Sequence, residues 1–147
     1  MDAYGTINEV LVKLFNDVMT IEEKAIITGK FTDISNNDMH IIEAIGIDEP
    51  KNMSTIAKLL SVTVGTLTIA INSLVKKGYV DRVRSEKDRR VVYISLTDKG
   101  LKAYEHHREF HNKMVEAVLS DLEEDELPVL MKSLGNLVEF FKNWDKR

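Results

Sequence analysis

Cysteine is absent from the 147 residues. Disulfides, thiolate nucleophiles and cysteine-based redox sensing within the chain are excluded with it. No run of 18 or more apolar residues occurs, so no transmembrane helix is expected. The start, Met1-Asp2-Ala3-Tyr4, lacks a basic residue followed by an apolar stretch. No secretion signal is expected on that ground, and the cytoplasm is the expected compartment. Catalytic signatures are also missing. There is no nucleophile–base motif, no glycine-rich phosphate loop and no pair of carboxylates at a recognisable spacing, so an enzyme is not expected. No internal repeat or low-complexity segment interrupts the chain.

What is present suffices for one domain of ordinary size. The composition is 44% hydrophobic and 30% charged, enough for a core under a solvated surface. The net charge is −4 but unevenly spread. Between Lys76 and Arg90 stand seven bases (Lys76, Lys77, Arg82, Arg84, Lys87, Arg89 and Arg90) against Asp81, Glu86 and Asp88. That stretch carries +4 and leaves −8 for the remainder, much of it in the six acids from Glu116 to Glu126. A basic patch on an acidic body is an electrostatic footprint for nucleic acid, although a solvated mixed-charge loop has the same composition.

Hydrophobic periodicity gives the elements. Ile7, Val10, Leu11, Leu14, Phe15, Val18 and Met19 recur at helical steps, predicting a helix from Ile7 to about Thr28 that Gly29 ends. Asn36-Asn37-Asp38 form a cap cluster before a short second helix stopped by Gly46, and Pro50 lies in the next turn. Ser54 is the expected cap of a third helix over Thr55–Leu60, and Thr63 that of a fourth, Val64–Lys77, stopped by Gly78. Leu67, Ile71 and Leu74 form the inner face of the fourth helix, with Thr66, Thr68, Ile69, Asn72, Ser73 and Lys76 around the rest. The period then changes. Tyr79–Arg84 and Val91–Leu96 are rich in β-branched and aromatic residues and flank a polar loop, a hairpin with a basic tip. Thr97 caps a long helix from Asp98 to about Leu119, roughly 33 Å in length. A last helix runs from Glu126 to about Trp144, with Pro128 tolerated in its first turn. Its stripe is Leu127, Leu130, Met131, Leu134, Leu137, Val138 and Phe141. The two amphipathic end helices either pack on the chain's own core or interleave with those of a second copy; the homodimer is the favoured expectation.

A helix-turn-helix followed at once by a basic-tipped hairpin is a winged helix, a far more specific signal than either part. A helix fits the major groove, where each base pair shows a distinct donor and acceptor pattern. A slender hairpin reaches the minor groove, whose negative potential draws arginine. The run Asp88-Arg89-Arg90 with Leu96-Thr97-Asp98-Lys99-Gly100 resembles the wing signature of the MarR family of transcriptional regulators, and the resemblance covers nearly the whole chain. Val62-Thr63-Val64-Gly65-Thr66-Leu67-Thr68, Asn72, Leu74 and Lys77-Gly78-Tyr79 resemble one subgroup more closely: the fatty-acid-biosynthesis repressors of Gram-positive bacteria. Arg82-Val83-Arg84-Ser85-Glu86, Phe110-His111 and Met114-Val115-Glu116 point the same way. The expected fold is α+β and mostly α, a winged helix-turn-helix whose N- and C-terminal helices dimerise. Within one domain, 1–147, the DNA-binding lobe would span 36–96 and the dimerisation helices 1–30 and 101–147.

The resemblance implies residue roles. Arg90 would enter the minor groove, held by Asp88 through a charge-assisted hydrogen bond, while Arg84, Lys87 and Arg89 meet phosphates or groove edges. On the fourth helix Val64, Gly65, Thr68 and Ile69 are candidates for base edges and thymine methyls. Ser54, Thr63, Thr66 and Asn72 are better placed for phosphates on a palindromic duplex. For Ser54 and Thr63 the cap role competes, and for Arg89 a solvated wing-tip charge does. The subgroup further implies a long acyl chain on acyl carrier protein as corepressor, in a pocket between the first, second and fifth helices. Met19, Ile42, Phe110 and Met114 could line it, although each also suits a plain core. A rival sensor comes from Glu22, His40, His107 and His111, whose separations resemble a zinc site in the zinc-uptake repressors of the same family. Against it, there is no cysteine for the second metal site of those regulators, and ordinary polar residues around a cleft would look the same. No cofactor is required on any of these readings. In another class altogether, the long helices would serve a protein-interaction module without DNA binding, which leaves the basic hairpin unexplained.

Overall fold

A computed structural model describes residues 2–28 and 31–146. The order is α1 (Ala3–Thr28), α2 (Asn36–Ile45), β1 (Lys51–Asn52), α3 (Met53–Leu60), α4 (Val64–Lys76), β2 (Val80–Arg84), β3 (Val92–Leu96), α5 (Asp98–Ser120) and α6 (Glu126–Lys142), then a short 3₁₀ turn at Trp144–Lys146. This is the mostly helical α+β winged helix expected. The helix stop placed at Gly29 lies outside the described residues. The chain divides into two compact units, residues 1–108 and 109–147.

In the first unit α3 and α4 meet at a bend of 106°, the angle of a helix-turn-helix. Ser61 makes the turn in the left-handed region (φ 55°), with its N–H on the carbonyl of Lys58. Three strands form an antiparallel sheet in the order β1-β3-β2. The hairpin register pairs Val80 with Leu96 and Arg84 with Val92. The two-residue β1 was not foreseen; it pairs Lys51 with Ile94 and Asn52 with Tyr93.

Two expected caps are corrected. The N-cap of α2 is Ser35, one residue before the Asn36-Asn37-Asp38 cluster. Its hydroxyl accepts the Asp38 N–H, and the Asp38 carboxylate accepts the Ser35 N–H, a reciprocal capping box. The N-cap of α3 is Asn52, whose side chain accepts the Thr55 N–H at 2.8 Å; Ser54 lies inside the first turn. The core is one cluster within the first unit, in which Met39, Ile42, Ile45, Ile56, Leu67, Ile71, Leu74, Tyr79 and Ile94 are the large members. In the second unit α6 buries none of its side chains, and Val129, Met131, Leu134, Val138 and Phe141 are exposed.

Candidate nucleic-acid interface

The N-terminus of α4 is organised by hydroxyls. Thr63 caps the helix, its Oγ1 accepting the Thr66 N–H at 3.1 Å and donating to Thr66 Oγ1 at 2.9 Å. Thr68 donates back to the Val64 carbonyl at 2.7 Å. The protons of Thr63 and Thr68 are thus used inside the helix, and the Thr66 hydroxyl is the one left to donate to an outside acceptor. The inner face buries Leu67, Ile71 and Leu74, as the periodicity implied. Ile69 is 75% exposed near the middle of the helix, and Val64 and Gly65 are exposed at its start. A Cβ on Gly65 would meet only Thr63 Oγ1, at 4.0 Å, so nothing within the chain demands glycine there.

The wing follows directly. Its loop is closed by Ser85 N–H on the Val91 carbonyl (2.8 Å) and by Val91 N–H on the Asp88 carbonyl (2.9 Å). The Asp88 N–H donates to Ser85 Oγ at 3.3 Å. Arg90 and Asp88 form a two-pronged pair: Nε donates to Oδ1 at 3.1 Å and Nη2 to Oδ2 at 3.2 Å, while the Arg90 N–H also reaches Oδ1. These bonds favour the ionised acid, so the Asp88 carboxyl is held below its ordinary range by Arg90. The Arg90 side chain is nonetheless 91% exposed, a guanidinium fixed in direction and open to a ligand. Arg84, Lys87 and Arg89 are exposed around it, as is Ser54 on α3.

Two parts of this surface were missed by sequence reasoning. Arg82 donates through Nη1 to Asn72 Oδ1, tying β2 to α4 and occupying a residue expected to meet phosphate. Strand alternation carried the signal, since Arg82 pairs with the core residue Ile94 and so projects on the side of the helices. The second is a knot at the root of the wing. The Tyr79 hydroxyl donates to Asp33 Oδ1, and Lys77 Nζ reaches the Asp33 carbonyl at 2.5 Å. Lys99 Nζ lies 3.8 Å from Asp33 Oδ2 and 4.3 Å from the centre of the Tyr79 ring. The Tyr79 bond, then the two lysines, hold the Asp33 carboxyl low; burial and the same carboxylate push the Tyr79 phenol up. Thr97 completes the joint by donating to the Gly78 carbonyl at 2.6 Å and capping α5 through the Gly100 N–H.

The candidate effector residues fall in different settings. Ile42 is wholly buried in the core and Met19 is 38% exposed on α1. Phe110 and Met114 are half-buried on α5 in the second unit, where the Phe110 ring meets His111 edge-on. Of the candidate metal ligands, three come together inside the first unit. Glu22 Oε1 lies 3.2 Å from His107 Nε2 and 3.5 Å from His40 Nε2, with Glu22 and His107 buried. Glu43, which sequence reasoning passed over, adds Oε2 at 3.5 Å from His107 Nε2. Its place three residues after His40 on one helix was the available signal. His111 lies one turn beyond His107 on α5.

Comparison with known proteins agrees with this geometry. A family model described as transcriptional regulator SarA/Rot matches residues 18–107, which span α2, the helix-turn-helix and the whole wing. The chain belongs to the SarA/Rot family of MarR-type transcriptional regulators. The fold is similar to that of Streptococcus pneumoniae FabT solved in complex with DNA, with TM-score 0.89 and 43% identity over 96% of this chain and 99% of that one. A MarR protein from Peptoclostridium difficile gives TM-score 0.72 at 26% identity, covering 99% of this chain and 93% of that one. The HTH-type transcriptional regulator YpoP of Bacillus subtilis is 27% identical over 99% of this chain and 93% of its own length. No single helix among the described residues of this SarA/Rot regulator is long and apolar enough to cross a membrane.

Proposed function

We propose that this regulator is a cytoplasmic, homodimeric repressor that grips a palindromic operator with α4 in the major groove and the wing in the minor groove. The observation that carries the reading is Arg90: an exposed guanidinium aimed by Asp88 at the tip of a basic hairpin. The chain is also 43% identical to a protein solved on DNA. Val64, Gly65, Thr68 and Ile69 offer methyl and close backbone contacts, Thr66, Ser54, Arg84, Lys87 and Arg89 meet the backbone phosphates, and Thr63, its proton given to Thr66, serves as the cap. The genes controlled are those of fatty-acid biosynthesis, with a long acyl chain on acyl carrier protein as corepressor. Support comes from the subgroup signature in α4 and the wing and from the likeness to FabT.

A second effector reading rests on the Glu22, His40 and His107 cluster. Ligands about 2.0–2.1 Å from a tetrahedral zinc stand about 3.3 Å from one another. From Glu22 Oε1 to the two imidazole nitrogens the separations are 3.2 and 3.5 Å, near that edge. Imidazole and carboxylate are ligand types that zinc takes, and Glu43, whose Oε2 stands 3.5 Å from His107 Nε2, is available within the same unit. The metal would tie α1, α2 and α5 together at the edge of the DNA-binding lobe.

The deciding experiment is fluorescence anisotropy with an AT-rich palindrome from upstream of fatty-acid-synthesis genes, at two salt concentrations. Binding should weaken steeply with salt as counterions are released. Arg90→Ala should lose about two orders of magnitude in affinity while staying folded, about 3 kcal/mol for one charged groove contact. Tightening by acyl carrier protein bearing a long acyl chain supports the lipid reading. Tightening by zinc, reversed by a chelator, selects the metal reading. Salt-insensitive or absent DNA binding sinks both.

A further inference from the structure

The wing has two unlike faces. Strand alternation puts Val80, Arg82 and Ile94 on one side, where Val80 and Ile94 join the core and Arg82 bonds Asn72. The other side carries the register pairs Val83 with Tyr93 and Asp81 with Ser95. There Val83 is 61% and Tyr93 40% exposed, a high value for a β-branched residue within a strand. Glu49 and Pro50, from the turn between α2 and β1, stand beside them. Glu49, Pro50, Val83, Tyr93 and Ser95 line a groove of about 410 Å³. A neighbouring hollow of about 630 Å³ shares Glu49, Pro50 and Tyr93 and continues past Asn52 to Thr55.

The charge on this face is mainly acidic. Asp48, Glu49 and Asp81 are exposed around the apolar floor. Lys51, the one base in the lining of these two hollows, turns its Nζ to the Ile45 carbonyl at 2.6 Å. Phosphate and anionic lipid are repelled by such a rim, and the arginines of β2 that suit DNA do not face it. An apolar side chain flanked by lysine or arginine fits: the apolar group over Val83 between Pro50 and Tyr93, the cations on Glu49, Asp48 or Asp81. We propose that the outer face of the wing is a docking site for a basic, apolar-centred segment of a partner protein. Because that face is turned away from the side carrying Arg82, a regulator held on DNA as proposed above would still present it.

The test uses the full chain without DNA, so its outcome does not depend on the operator reading. The probe is the capped peptide Lys-Leu-Trp-Lys-Lys, titrated into ¹⁵N-labelled protein while amide shifts are followed. Saturable shifts centred on Glu49, Val83 and Tyr93 are expected, with none from a peptide in which glutamate replaces each lysine. Val83→Lys and, as a milder variant, Tyr93→Ser should each weaken binding by about tenfold or more with the rest of the spectrum preserved. Shifts that do not saturate, shifts centred elsewhere, or full affinity in Val83→Lys would overturn the proposal. So would shifts at these residues that appear with rising protein concentration in the absence of peptide, since the occupant would then be a second copy of this chain.

Discussion

Arginine is useful at the wing tip only if its entropy is already spent. A side chain free to sample its rotamers must be ordered on binding, at a cost of about 1–2 kcal/mol. Asp88 removes much of that cost by holding Nε and Nη2 at 3.1 and 3.2 Å. Asp88→Asn should therefore bind operator more weakly than wild type yet more tightly than Arg90→Ala, which the same anisotropy assay can rank. Gly65 separates function from stability in the other direction. Alanine fits there without a clash and favours helix by about 0.5 kcal/mol, so Gly65→Ala should melt no lower than wild type. Operator affinity should nonetheless fall, because the methyl group keeps the helix start from the DNA. Unchanged affinity would remove Gly65 from the interface.

Gly78 and Gly100 are glycines for different reasons. Gly78 has φ +87° and nothing within 4 Å of where a methyl group would stand, so Gly78→Ala should cost about 1 kcal/mol of backbone strain. At Gly100 a Cβ would sit 2.1 Å from the Tyr79 carbonyl oxygen, which also accepts the Thr97 N–H at 3.0 Å. Backbone cannot swing aside as a side chain can, so Gly100→Ala should cost about 3 kcal/mol, and thermal melts should place it below Gly78→Ala. The knot beside it gives a pH signature. The Asp33 carboxyl is held low by the Tyr79 hydroxyl and the neighbouring lysines, so the ionised acid stabilises the fold above its unfolded pKa of about 3.9. That contribution is lost as pH falls through the lower folded value. The melting difference between wild type and Asp33→Asn should be full at pH 7 and close as pH drops below about 4; a gap that persists in acid would show that charge is not its source.

At the scale of elements, helices and hairpin were legible because their signals are local. Thr63 and Thr97 were recognised as caps because hydroxyls precede clear periodic runs, and Gly78 because it follows one. There the chain forms a full Schellman turn, with Gly78 N–H on Val75 and Tyr79 N–H on Leu74. Ser54 was mistaken for a cap because serine and asparagine are nearly equal in that role, and the sequence supplies both two residues apart. What decides between them is long-range. Asn52 pairs with Tyr93 in the sheet, and the extended backbone this imposes (φ −80°, ψ 165°) is the conformation an N-cap needs. A two-residue strand has no periodicity of its own, so β1 could not be read without β3. The Arg90 fork was expected because Asp88-Arg89-Arg90 resembles the family's wing signature, whereas the Asp33 knot was not, since 46 residues separate Asp33 from Tyr79. The carboxylate–imidazole residues were named because their separations resemble a zinc site in related repressors, but Glu43 emerged only when α1, α2 and α5 were brought together.

At the scale of the whole molecule, the outstanding fact is how much apolar surface the long helices leave in water. On α1, Ile7, Val10, Leu11, Leu14 and Phe15 are all exposed, the last at 67%, and on α6 Val129, Met131, Leu134, Val138 and Phe141 are too. Soluble monomers rarely leave contiguous apolar stripes of this length uncovered, and in the homodimer proposed above a second copy would cover them by symmetry. Phe15→Glu together with Phe141→Glu should then yield a folded monomer at low micromolar concentration by sedimentation velocity. The DNA tests whether this matters. A dimer holds its two α4 helices at one fixed separation, expected near one helical turn or about 34 Å, so it must detect the distance between half-sites. Inserting about five base pairs turns one half-site to the opposite side of the duplex, and wild-type affinity should collapse. The double variant, binding one half-site at a time, should be weak on both duplexes and indifferent to the insertion. Wild-type binding that ignored the spacer would mean that each chain meets DNA alone, and the apolar stripes would need another occupant.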